Sequence, residues 1–269
     1  MRFLGYRHQG EPVIGVVDGD RVSRLATIDE FYGDLDRWRQ ATPAGPSAVI
    51  AEVEQIPAVP TTAKILCVGL NYQLHVDETG SVRPDHPNLF ARWYACLSCD
   101  GDEISVPSGE PGLDWECELG VIIGTHLVDT PAAEAMAGVL GYTCFNDLSA
   151  RTYQRATSQW ALGKNPDRSG PIGPSVVTAD EYGDPYGKAI QTRVNGETMQ
   201  SSTTDQMLFK IDEIIEYITA CTSLRPGDVI ATGTPSGVGS RMDPPRFLNA
   251  GDVVEVDIEG IGVLRNLFV

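Results

Sequence analysis

Trp115-Glu116-Cys117-Glu118-Leu119-Gly120-Val121-Ile122-Ile123-Gly124 is the stretch whose reading decides the fold. The run from Leu119 to Ile123 is apolar and closed by Gly124, the pattern of a buried strand. Glu116 and Glu118 enter it two residues apart, and on a strand such residues project from one face. Two ionised carboxylates sharing a face beside a core repel each other and are costly to bury. A divalent cation removes both costs, because it takes hard oxygen ligands of this kind. A second apolar run, Val139 to Phe145 and then Asn146, delivers Asp147 as a third oxygen ligand. An E-x-E pair alone is commonly a solvated face. With Asp147 and the residues below, the pattern predicts an enzyme dependent on Mg²⁺ or Mn²⁺.

Outward from this stretch the chain is rich in strands. Ile65–Gly69, Ile104–Val106 and Ile190–Val194 are short apolar runs, the last ending in the turn pair Asn195-Gly196. Arg225-Pro226-Gly227-Asp228-Val229-Ile230 and Asn249-Ala250-Gly251-Asp252-Val253-Val254 each place a Gly-Asp turn before a strand. The best helix is Phe209–Ser223, with Ile211, Ile214, Ile215 and Ile218 at helical spacing. Residues 1–60 read as a small N-terminal α/β subdomain. It holds a hairpin of Val13–Val17 and Arg21–Leu25 around Asp18-Gly19-Asp20, a helix near Ile28–Arg39, and a Pro-spaced linker at Ile56–Pro60. Residues 61–269 form the catalytic domain. Regular βαβ alternation is absent, so the expected class is α+β, dominated by β-structure.

The 269 residues can bury a sizeable core, and the net charge of −17 disfavours nucleic acid and anionic membranes as partners. No apolar stretch approaches the roughly 20 residues that span a bilayer, and the N-terminus lacks a signal-peptide core, which predicts a cytoplasmic protein. Cys67, Cys117, Cys144 and Cys221 sit in apolar runs and are expected in the core. Cys96 and Cys99 form a lone C-x-x-C without the further ligands a zinc site needs.

The stretch Asn71-Tyr72-Gln73-Leu74-His75-Val76-Asp77-Glu78 follows the Ile65 strand. His75 and Glu78 face each other if this is one helical turn, and a carboxylate beside an imidazole makes a general base. His8, His86 and His126 have no such partner. Lys164, in Leu162-Gly163-Lys164-Asn165, would stabilise a developing enolate or carboxylate if its loop folds over the acidic cluster. The glycines of Gly233-Thr234-Pro235-Ser236-Gly237 allow backbone N–H groups to approach an anion, although no P-loop motif is present.

Taken together, KILCVGLNYQLHVDE, DWECELGVIIG, GYTCFNDLSAR, LGK, PIGP, VNGETMQ, RPGDVIATGTPSGVG and GDVVEVDIEGIGVLRN resemble, in order, the fumarylacetoacetate hydrolase family. The resemblance implies a mixed β-roll core, a homodimer and a divalent metal. It implies Glu116, Glu118 and Asp147 as metal ligands, His75 and Glu78 as a water-activating dyad on a closing lid, and Lys164 as the active-site lysine. Gln154 and Thr234 match substrate-contacting positions, and Arg151 matches the Asp-x-Ser-x-Arg motif as support for the metal loop. The chain departs from the family at Phe90-Ala91-Arg92, where Phe-x-Lys is frequent, and at Asn165-Pro166-Asp167 after Lys164. Arg92 keeps the charge with a bidentate fork and is expected to touch substrate.

The activity implied is hydrolysis of a C–C bond in an acylpyruvate-type 2-oxo acid, with the metal acting as Lewis acid and an enolate leaving. The same site suits decarboxylation of an oxaloacetate-like acid, isomerisation of a hydroxymuconate, or dehydration or hydrolysis of a 2-keto-3-deoxy sugar acid. A metal-stabilised binding protein without catalysis would be expected to lack His75, Glu78 or Lys164, and all three are present.

Overall fold

The computed structural model describes residues 1–39, 41–43 and 45–269. Cys117–Ile123 is a seven-residue strand in which every residue is buried, and its antiparallel neighbour Val139–Asn146 is likewise buried along its length. Such strands need cover on both faces. Cys117, Leu119, Val121 and Ile123 pack with the helix Ile211–Thr219 and with Ile190, Val256, Ile258 and Leu264 of a second sheet. On the opposite face Ile122 packs with Phe31 and Tyr32 of the helix Ile28–Gly33 and with Leu140, Phe145 and Val229. Glu118 and Ile122 therefore share a face, in keeping with the two-residue period of a strand.

Across the larger, 12-stranded sheet run Ala48–Val49, Arg21–Thr27, Glu11–Asp18, Arg2–His8, Gly170–Thr178, Val139–Asn146, Cys117–Ile123, Val229–Ala231, Ile65–Gly69 and Asn88–Arg92. Gln55–Ile56 and Leu97–Ser98 attach to it at the side. The second sheet has five strands in the order Glu197–Thr203, Ala189–Val194, Val253–Ile258, Gly262–Phe268 and Glu103–Ile104. Pairing is mostly antiparallel, but Val229–Ala231 runs parallel to Ile65–Gly69. The class is α+β and β-dominated, as the sequence predicts. The N-terminal hairpin closes at Asp18 opposite Arg21, and its neighbouring strand Arg2–His8 pairs with Gly170–Thr178, so the first strands extend the larger sheet.

Three local expectations differ. The helix expected over residues 28–39 is two, Ile28–Gly33 and Leu35–Arg39. Asp34 leaves helical geometry at φ −153° and accepts the Arg37 N–H on Oδ1 at 3.1 Å, a hydrogen bond that starts the second helix. The helix expected over residues 209–223 is confined to Ile211–Thr219. Its approach is bound elsewhere: Asn71 accepts the Leu208 N–H on its backbone oxygen and the Phe209 N–H on Oδ1, both at 2.8 Å. Cys221 is exposed, because the helix ends before it and the chain turns on the solvent side. No helix is long and apolar enough to cross a membrane among the described residues.

The two Gly-Asp turns share one geometry. Gly227 and Gly251 hold φ of +89° and +95°, a region glycine enters without strain. Asp228 Oδ2 accepts the Arg225 N–H at 2.9 Å, and Asp252 Oδ2 accepts that of Asn249 at 2.8 Å. Asp228 is buried and also accepts the Lys64 N–H on Oδ1 at 2.8 Å, which fixes the start of the Ile65 strand. Asp228→Ala is expected to cost about 2–3 kcal/mol, since it leaves buried donors unpaired, whereas Asp252→Ala should cost under about 1 kcal/mol. Urea unfolding of the two variants checks this; equal losses would contradict it.

Candidate active site

Glu116, Glu118 and Asp147 meet at the end of the two central strands. One carboxylate oxygen from each lies within 4.8 Å of the others, and all three residues are buried. The strand period turns Glu116 and Glu118 the same way. The Asp147 N–H then donates to the Glu116 backbone oxygen at 2.9 Å, one step beyond the regular ladder, and holds Asp147 alongside.

Cations surround this cluster. Lys164 Nζ lies 2.6 Å from Glu116 Oε2 and 2.5 Å from Asp147 Oδ2. Arg151 Nη1 lies 2.7 Å from Glu116 Oε1, and Arg92 Nη1 pairs with Asp147 Oδ1. Burial alone would raise the Glu116 carboxyl, but Lys164, Arg151 and His75 outweigh it and hold the group well below the carboxylate range. Lys164 is pushed down by burial and raised, on balance, by Asp147 and Glu116. Glu118 differs. No cationic side chain touches it among the described residues, and its Oε2 accepts only the Gly233 N–H at 2.9 Å. Burial, then Asp147 and Glu116, push its carboxyl well above the usual range. The cluster is thus short of positive charge on the Glu118 side.

The dyad expected from H-x-x-E is present. Gln73–Thr79 is a helix, and His75 Nδ1 lies 2.8 Å from Glu78 Oε1. A carboxylate only accepts, so Nδ1 carries the hydrogen and Nε2 keeps its lone pair. Glu78 is itself held by the Gly237 N–H, at 3.0 Å to Oε2. Asn71 ties the start of this helix down, donating from Nδ2 to the Thr232 oxygen at 2.7 Å.

A cavity of about 300 Å³ brings most of the expected residues together: His75, Glu116, Glu118, Asp147, Lys164, Gln154 and Thr234 all line it. Thr234 is oriented by Gln200, whose Nε2 donates to Thr234 Oγ1 at 2.8 Å. Gln154 Oε1 accepts from Arg151 Nη1 at 2.8 Å, leaving its amide hydrogens for a ligand. Arg92, expected to touch substrate, does not line the cavity; its side chain is fully buried behind Asp147, with Nη2 on Ser169 Oγ. A guanidinium has donors enough to brace the Asp147 loop from behind, and that use removes it from the substrate side.

Several contributors had no distinctive pattern in the sequence. Asp114, fully buried, accepts from Arg151 Nε at 2.8 Å, from the Gly239 N–H at 2.7 Å and from the Ser240 N–H at 2.9 Å. Phe90 and Trp160, edge to face at 5.5 Å, form an apolar wall. Gly69 makes room for that indole, since a Cβ there would lie 2.6 Å from it. Gly163 is needed for close approach too: a Cβ would lie 2.3 Å from the Gln154 nitrogen, so the Arg151–Arg155 and Ala161–Lys164 helices could not pack as they do. Arg155 and Arg241 also line the cavity.

Comparison with known proteins agrees with this geometry. The C-terminal fumarylacetoacetate (FAA) hydrolase family matches residues 64–269. The mitochondrial oxaloacetate tautomerase FAHD2A of Bos taurus is 43% identical over 218 residues, covering 80% of this chain and 69% of its own. The 5-carboxymethyl-2-hydroxymuconate delta-isomerase of Mycobacterium smegmatis superposes with a TM-score of 0.84 at 33% identity, over 100% of this chain and 99% of the other. Maleylpyruvate hydrolase from Sphingobium sp. SYK-6, solved with manganese(II) and pyruvate, superposes with a TM-score of 0.83 at 25% identity and the same coverage. The acidic cluster, the dyad and the lysine stand on segments that the matched region spans, and the chain belongs to the fumarylacetoacetate hydrolase family.

Proposed function

We propose that this protein hydrolyses the C–C bond of an acylpyruvate-type 2-oxo acid with the help of a divalent cation. One observation carries the reading: His75, backed by Glu78, lines the same cavity as the three-carboxylate cluster. The donor set fits Mg²⁺ or Mn²⁺, since all three groups offer hard oxygens and Glu118 has no ion-pair contact among the described residues. Manganese and pyruvate in the maleylpyruvate hydrolase structure support the same choice. Glu116, Glu118 and Asp147 would hold the ion, which supplies Lewis acidity toward the 2-oxo acid.

The chain's own groups supply the rest. His75 Nε2 takes a proton from water, and Glu78 keeps the ring in the required tautomer and stabilises the imidazolium that results. Water oxygen bonds to the distal carbonyl carbon, the C–C bond breaks, and its electron pair leaves as pyruvate enolate. Lys164, confined beside the cluster, stabilises that charge. Protonation at carbon, with His75 returning its proton, gives pyruvate and the acyl carboxylate. Gln154 and Thr234 orient the substrate, and the Phe90–Trp160 wall excludes water from one side. A homodimer is part of the proposal through family membership.

One observation favours a second reading. The 43% identity to an oxaloacetate tautomerase points to keto–enol interconversion of an oxaloacetate-like acid. There His75 would shuttle a proton between carbon and oxygen without spending water.

Purified protein with Mg²⁺ is expected to release pyruvate and acetate from acetylpyruvate. Absence of that turnover together with accelerated oxaloacetate ketonisation would replace hydrolysis by tautomerisation. His75→Ala is expected to lose roughly 10²–10⁴-fold in kcat, the usual worth of a general base, with Mg²⁺ affinity unchanged by calorimetry; wild-type turnover would remove His75 from the reaction. Glu118→Gln should weaken Mg²⁺ binding by about tenfold or more, because a charged oxygen ligand is lost. Its metal-free melting temperature should not fall, since the change relieves repulsion with Glu116 and Asp147. Wild-type metal affinity in this variant would refute the ligand assignment.

A further inference from the structure

Gln200 comes from the strand Glu197–Thr203 of the second sheet, is fully buried and does not line the cavity. It stands directly across the ladder from Thr192, and the register slips just beyond this pair, leaving Met199 unmatched. Bulges of this kind re-aim side chains. Every hydrogen-bonding position of the Gln200 amide is filled. Oε1 accepts the Cys117 N–H at 3.0 Å and the Thr192 hydroxyl at 2.8 Å. Nε2 donates to the Pro235 oxygen and to Thr234 Oγ1, both at 2.8 Å. Two of these partners are one-way: a backbone N–H only donates, and a backbone carbonyl only accepts. They fix which end of the amide is oxygen and which is nitrogen. Thr234 Oγ1 therefore receives a hydrogen from Gln200, and its own hydrogen points elsewhere.

Thr234 lines the cavity and stands against the carboxylate cluster, since the preceding residue, Gly233, donates its N–H to Glu118 Oε2 at 2.9 Å. Among the described residues no oxygen or nitrogen takes the Thr234 hydroxyl hydrogen. The Cys117 thiol lies beside it, but burial pushes that thiol up to about 12 despite the Thr192 and Thr234 hydroxyls, and a protonated sulfur accepts only weakly. We propose that Gln200 is a positioning residue that commits the Thr234 hydroxyl to donate into the cavity, to an anionic oxygen of the 2-oxo acid. This rests on the 2-oxo acid reading above and deepens it by naming the group that sets the polarity of Thr234. A donor aimed before binding needs no reorganisation when an anionic oxygen arrives. The substitution Gln200→Glu reverses the arrangement with little change of shape. The new carboxyl still accepts from Cys117 and Thr192, but it has at most one hydrogen to give. The Pro235 carbonyl claims that hydrogen, and the Thr234 hydroxyl turns back to donate to the acid.

The test is pyruvate binding to the Mg²⁺-loaded full chain, measured by calorimetry in wild type, Thr234→Val, Gln200→Glu and the double variant. Thr234→Val is expected to bind pyruvate about tenfold more weakly than wild type, the worth of a hydrogen bond to a charged group, and Thr234→Ser within about threefold of wild type. Gln200→Glu should bind about as weakly as Thr234→Val, and the double variant no more weakly than either, because both substitutions remove the same donor. Mg²⁺ affinity should match wild type throughout, since Gln200→Glu keeps an acceptor for the Cys117 N–H. Losses that multiply to about a hundredfold in the double variant would overturn the assignment, because a misplaced charge or a distorted strand weakens binding whether or not Thr234 keeps its hydroxyl. Wild-type pyruvate affinity in either single variant would overturn it too, as would loss of Mg²⁺ affinity in Gln200→Glu, the mark of a purely structural role. Where Gln200→Glu does not fold, Gln200→Met takes its place: it frees the hydroxyl to turn, and its loss of about threefold must vanish in the Thr234→Val background. If pyruvate binding follows this pattern but acetylpyruvate is not turned over, the hydrolysis falls and the role of Gln200 stands. If the loaded wild type binds no pyruvate, the 2-oxo acid reading falls and takes this assignment with it.

Discussion

Carboxylates buried at the end of a β-sheet need positive charge within contact distance, and the arrangement of this molecule follows from that need. Glu116, Glu118, Asp147 and Asp114 are buried together, with Lys164, Arg151 and Arg92 among them. Each cation arrives on a different segment: Arg92 ends the sheet strand Asn88–Arg92, and Arg151 and Lys164 come from the helices Arg151–Arg155 and Ala161–Lys164. Four acids against three bases leave a deficit, and it falls on Glu118. That imbalance connects fold to chemistry: it is costly when the protein stands alone and is relieved by a divalent cation. An enzyme built this way keeps its electrophilic centre where its largest desolvation cost lies.

The same frame accounts for a family with several reactions. On the proposed reading, a cation held by the acidic cluster, together with Lys164, would favour the enolate form of a bound 2-oxo acid, which hydrolysis and tautomerisation have in common. What differs is whether water reaches the far carbonyl and which group delivers protons. In this molecule the helix carrying His75 and Glu78 is already docked, through Gly237 on one side and Asn71 on the other. His75, the proton-transfer group of the proposed reaction, therefore already lines the cavity.

Much of this was legible in the chain because it depends on local spacing. The two-residue separation of Glu116 and Glu118 put both on one strand face, the three-residue separation of His75 and Glu78 put both on one helical turn, and Gly227-Asp228 and Gly251-Asp252 marked their turns. Departures came where a distant partner decided the outcome. Nothing near Arg92 in sequence says that Asp147 and Ser169 will claim its guanidinium. Asp114 reads as an ordinary residue before a strand, and its importance appears only once Arg151 and the Gly239 turn converge on it. The approach to the Ile211–Thr219 helix is also set at a distance, since Asn71, far back in the chain, binds the Leu208 and Phe209 N–H groups. The first sixty residues read as a small unit of their own, and within them the strand Arg2–His8 pairs with Gly170–Thr178.

Asp114 is the hinge pin on which two jaws hang. Because one carboxylate sets both the Arg151–Arg155 helix and the Gly239–Arg241 turn, the reach of Arg155 cannot be altered at this anchor without carrying Arg241 along. Elsewhere on the cavity wall Gly69 leaves the space that the Trp160 indole fills. A methyl group at Gly69 would collide with that ring and force it to shift, reshaping the cavity without touching any charged group.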